Sequence, residues 1–159
     1  MTRKAGAGPL QCLPMHMRTL RRLVPSRRPD DAASDPAVSA LIELLESERD
    51  LALAEQRDLV ERFDPGQVWL LWFAIGATDA VCRLIERDPQ HEGTRIFRQV
   101  VAAIFGRRVR SETNPVLADR RLIELFEDAG AEAVRDCMRG EGRLGHYLDA
   151  LRAASSQLC

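Results

Sequence analysis

The chain has 159 residues, enough for one domain that buries a core without help from a metal or disulfides. Its 45% hydrophobic and 30% charged content is that of a globular protein and excludes a disordered or collagen-like chain. The net charge of −1 conceals an asymmetry: residues 1–29 carry seven basic side chains and no acidic one, while the rest carries 16 basic against 24 acidic.

One tyrosine beside abundant Leu, Ala, Arg and Glu favours helix over strand. The cysteines Cys12, Cys82, Cys137 and Cys159 are scattered without a C-x-x-C pair, so they read as reduced thiols of a cytoplasmic protein.

Residues 1–34 contain Pro9, Pro14, Pro25 and Pro29 and leave room only for a short helix around Met15–Val24, so they read as a flexible basic arm. Arg18, Arg21 and Arg22 stand where a secretory signal needs its apolar stretch. Asp35-Pro36, Asp64-Pro65, Asp88-Pro89 and Asn114-Pro115 then repeat one device, a capping side chain directly before a proline suited to a first helical turn. They predict four helix starts.

The first helix, about 36–62, carries Val38, Leu41, Ile42 and Leu45 on one face, and its middle from Glu46 to Asp58 is densely charged, the pattern of a solvated surface. The second is the centre of the chain. Val68 to Ala77 runs ten residues without a polar side chain, includes both tryptophans, and predicts a helix of about 65–87 that starts buried all round. A membrane span would need roughly 20 apolar residues, and Asp79, Arg83 and Glu86 interrupt the continuation. No span is expected.

Ile96, Phe97, Val100, Val101, Ile104 and Phe105 predict a third amphipathic helix that stops at Gly106. Leu122, Ile123, Leu125 and Phe126 mark a fourth helix closed at Gly130. A short fifth follows at about 131–138. Gly140, Gly142 and Gly145 loosen the next junction, and Leu144, Tyr147, Leu148 and Leu151 make a last helix. The expected fold is an all-α bundle of five to six helices around a buried central helix, a single helical domain over 35–159 behind a basic arm over 1–34. Trp69, Trp72, Phe73, Ile96, Val100, Ile104, Leu122 and Leu148 are expected to share its core.

Chemistry is sparsely signalled. His16, His91 and His146 lie apart; His146 has Asp149 one helical turn away and His91 adjoins Glu92, but neither forms a metal box, and both read as surface or capping residues. No phosphate loop and no nucleophile–base pair appears, so no catalytic, cofactor-binding or metal site is assigned. The favoured function is a helical protein–protein interaction or adaptor module, with a protein partner or a second copy of the chain in a homodimer. Leu51, Leu59 and Phe63 on the first helix are its expected contacts. The alternative is a nucleic-acid-binding regulator using Arg18, Arg21, Arg22, Arg27 and Arg28 with Arg107, Arg108 and Arg110 against phosphates or an acidic partner. A third reading is a small helical enzyme of unknown reaction.

Overall fold

The computed structural model describes residues 35–106 and 119–158. Among the described residues the secondary structure is five α-helices with no strand: α1 Pro36–Phe63, α2 Val68–Leu84, α3 Glu92–Phe105, α4 Arg120–Arg139 and α5 His146–Gln157. The chain is an all-α bundle, as its periodicity predicts. The basic arm and the Asn114-Pro115 start lie outside the described residues.

The Asp-Pro pairs divide into two uses. At Asp35-Pro36 the expectation holds: the Asp35 carboxylate accepts from the Ala37 N–H at 3.0 Å and proline occupies the first turn. Asp64 does something else. It closes α1, and α2 opens only at Val68 after Gln67 in a left-handed conformation. The Asp64 carboxylate then reaches forward across this turn to accept from the N–H groups of Trp69 and Leu70, each at 3.0 Å. The open N–H groups of α2 are therefore still capped by Asp64, from outside the helix. Asp88 likewise organises a turn, accepting from the Gln90 N–H at 2.9 Å, before α3 begins at Glu92.

Gly130 also departs from its expected role. It does not end a helix, because α4 runs through it without interruption and absorbs the short helix expected at 131–138. Gly130 is small for another reason: a β-carbon there would collide with the backbone of Phe73, and one on Gly76 would collide with the backbone of Glu127. Two reciprocal glycines thus let α2 and α4 lie backbone against backbone. Trp69 stacks on Phe126, and Val81 and Ile85 line one notch with Val134 and Met138. The order of these pairs makes the two helices parallel neighbours.

One core unites the described helices, with Leu41, Leu44 and Leu45 of α1, Leu70 and Phe73 of α2, Ile96 and Val100 of α3, Phe126 and Val134 of α4, and Tyr147, Leu148 and Leu151 of α5. Trp69, Trp72 and Ile104 pack at its margin and stay partly exposed. α2 contacts α1, α3 and α4, yet its first half is not enclosed on every side. Among the described residues no helix is long and apolar enough to cross a membrane.

Candidate functional site

Three buried carboxylates hold the helix junctions. Glu48 lies in the charged middle of α1, yet it is 0% exposed, because it continues the inward stripe of Leu41, Leu45 and Ala52 at i, i+4, i+7 and i+11. Its Oε2 accepts from the N–H groups of Gly145 and Tyr147, both at 3.1 Å, and so caps α5 from another helix. Gly145 opens α5 at φ 108, a conformation few other residues adopt, and this turns its N–H toward Glu48. Asp64, similarly buried, accepts from the Tyr147 hydroxyl at 2.6 Å as well as from α2. Burial raises the Asp64 carboxyl above its usual range despite these donors, and burial beside Asp64 raises the Tyr147 phenol further.

Glu48 of α1 and Asp64 at its C-cap both hold Tyr147. Along a straight helix, 16 residues would separate them by about 24 Å. Between them α1 leaves helical geometry at Gln56, with φ −145 and ψ 60, and the two carboxylates take opposite ends of Tyr147, its backbone N–H and its hydroxyl. Asp35 forms the third junction, paired with Arg87 at 2.8 Å and Arg95 at 3.0 Å. Burial alone would raise its pKa, but these two guanidinium groups and the Ala37 N–H outweigh it and the net shift is downward.

His146 sits between Glu48 and a fourth buried carboxylate, Asp136 of α4. Its Nδ1 is 3.4 Å from Glu48 Oε1 and its Nε2 is 2.8 Å from Asp136 Oδ2, and the side chain is 10% exposed. Both ring nitrogens face acceptors, which the doubly protonated imidazolium satisfies and either neutral tautomer does not. The Glu48 contact, aided by Asp136, raises the His146 pKa above its ordinary value against the opposing effect of burial. Arg139 stands 3.6 Å from the other Asp136 oxygen. His146 is therefore an interior ion-pair residue that joins α1, α4 and α5, and Asp149, its expected neighbour, pairs with Arg143 and Arg152 instead. His91 is exposed and bonds Asp88 at 2.6 Å.

This cluster is poorly suited to acid–base work. Each polar atom of Glu48 and His146 already has an internal partner, so a proton could leave only by breaking a junction. The thiols of Cys82 and Cys137 are buried and pushed up to about 11 by burial, far from a reactive thiolate at neutral pH. The notch between the C-terminal halves of α2 and α4, lined by Val81, Leu84, Ile85, Val134 and Met138, has a volume of about 20 Å³, room for roughly one water.

The contact residues expected on α1 do not form an exposed patch. Leu59 is 8% exposed and belongs to the core, Phe63 is half-buried with its ring 6.3 Å from that of Trp69, and Leu51 is half-buried beside Gly145. Arg18, Arg21, Arg22, Arg27, Arg28, Arg107, Arg108 and Arg110 lie outside the described residues.

Among the described residues, α2 carries a partly exposed apolar stripe. Val68, Leu71, Trp72 and Ile75 follow one another at i, i+3, i+4 and i+7 and are all partly exposed; Val68, Leu71 and Ile75 stay outside the core cluster. Asp79 and Arg83, paired at 2.7 Å, continue the stripe as its polar end. On its α4 side the stripe is bordered by Glu127, whose backbone lies against Gly76 one turn beyond Trp72. Neither a protein-family model, nor a curated protein, nor a solved structure matches this chain.

Proposed function

We propose that this chain is a helical protein-binding module, and that its contact surface is the outer stripe of α2, Val68, Leu71, Trp72 and Ile75. A single observation carries the proposal: the most apolar segment of the chain is left partly uncovered along one side of a helix. Large apolar residues in register on an open helix face are what a partner's apolar side chains need, and tryptophan is prominent among residues that dominate binding energy. The interior polar groups are engaged in holding junctions, which favours binding over chemistry. Both described cysteines are free thiols, and this supports a cytoplasmic setting.

The test is site-specific photocrosslinking in the cells that express the chain. A photoreactive residue at Ile75 should yield a discrete adduct of defined mass, and the same group at exposed Arg57 should not. No adduct at Ile75, or equal labelling at both sites, would contradict the proposal.

A further inference from the structure

We infer that the partner of this surface is a basic amphipathic helix, its apolar stripe seated on Trp72 and Ile75 and its lysines or arginines facing the acidic edge made by Asp79, Glu124, Glu127 and Asp128. The inference rests on the reading of α2 as a binding surface and adds the chemistry of what binds there.

The two close-packed glycines are what make the surface composite. Because Gly76 and Gly130 bring the backbones of α2 and α4 together, the flanks of the two helices form one strip, with Glu127 over the turn that follows Trp72. The strip has an apolar side from α2 and an acidic side from α4. Arg83 balances Asp79 at 2.7 Å and Arg120 balances Glu124 at 3.0 Å, but among the described residues Glu127 and Asp128 have no ion-pair partner. Glu127 is partly buried, and its carboxyl is raised by that burial and then by Asp128, Glu124 and Asp79, so a cation brought to this edge would relieve an existing repulsion.

Charge also argues against a second copy as the occupant. A two-fold contact through this strip would set its acidic edge against the same edge or against the apolar side of the second copy, and neither supplies a cation. A helix with apolar residues at i, i+3, i+4 and i+7 and basic flanks meets both halves of the strip at once.

The test titrates the full chain, followed by its tryptophan fluorescence, with two synthetic helical peptides of about 18 residues, one of leucine and lysine and one of leucine and glutamate with the same apolar stripe. The lysine peptide should bind at least about ten-fold more tightly than the glutamate peptide, and more weakly as salt rises. The E127Q/D128N variant should lose about three-fold or more in affinity for the lysine peptide. Trp72→Ala, followed by calorimetry, should lose about ten-fold or more. Equal binding of both peptides, or a dimer by sedimentation that Trp72→Ala disperses, would overturn the basic partner and leave the α2 surface standing as a binding site. Binding of the lysine peptide unchanged by both variants would overturn the location. If neither peptide binds, the inference fails, and the crosslink at Ile75 decides separately whether the surface binds a different class of protein.

Discussion

His146 combines an ordinary side chain with an uncommon position, a cation-capable ring with one carboxylate on each nitrogen. Its pKa in the folded chain is raised above the unfolded value of about 6.5, so its stabilising contribution is complete below that value and is lost as pH rises through the folded one. The urea midpoint of the wild type is expected to fall as pH rises above about 6.5, and His146→Gln should flatten that fall while costing about 3–5 kcal/mol at the acid end, where Glu48 is left without its counter-ion. Parallel pH curves for the two proteins would show that His146 is not held by these acids. Tyr147→Phe should cost about 1–3 kcal/mol in the same melt, because Asp64 loses a donor it cannot replace from water. A loss below about 0.5 kcal/mol would mean that Asp64 is solvated. Part of this was readable in advance, since Glu48 falls on the same stripe as Leu41, Leu45 and Ala52. The dense charge from Glu46 to Asp58 obscured it. The partners of His146 were not readable, because Glu48 is 98 residues away and the local candidate, Asp149, points to arginines.

At the level of the helices, the pair α2 and α4 depends on absent side chains. Gly130→Ala should cost more than about 3 kcal/mol or prevent folding, since the added methyl meets the Phe73 backbone, which no rotamer change can move away. Circular dichroism with a urea melt checks this, and a change under about 1 kcal/mol would mean that the helices are further apart than described. Element type was legible almost throughout, because periodicity and the shortage of strand formers agree. Boundaries were less so. A glycine within an amphipathic pattern reads equally as a stop or as a crossing point, and only the neighbouring helix distinguishes them. The same holds for Asp64-Pro65, whose carboxylate caps a helix beginning four residues later. The bend of α1 at Gln56 has no proline, glycine or other sequence mark.

Over the whole molecule, the interior is tied by buried carboxylates at the helix junctions and the outer stripe of α2 remains partly exposed, with Trp72 alone among its four residues also packed against the core. Trp72, expected from sequence to be a core residue, stands at the margin. Its replacement by alanine should cost about 1–2 kcal/mol, below the 3–5 kcal/mol typical of a fully buried aromatic, and a denaturant melt distinguishes the two. The central claim is that α2 presents apolar side chains the folded chain does not need for its own core. The most direct measurement is the urea unfolding free energy of Ile75→Glu. An open stripe predicts a loss below about 1.5 kcal/mol with an unchanged helical spectrum, because the new carboxylate reaches water. A loss of about 3 kcal/mol or more, the cost of burying an unpaired charge, would contradict the account and place Ile75 in the interior.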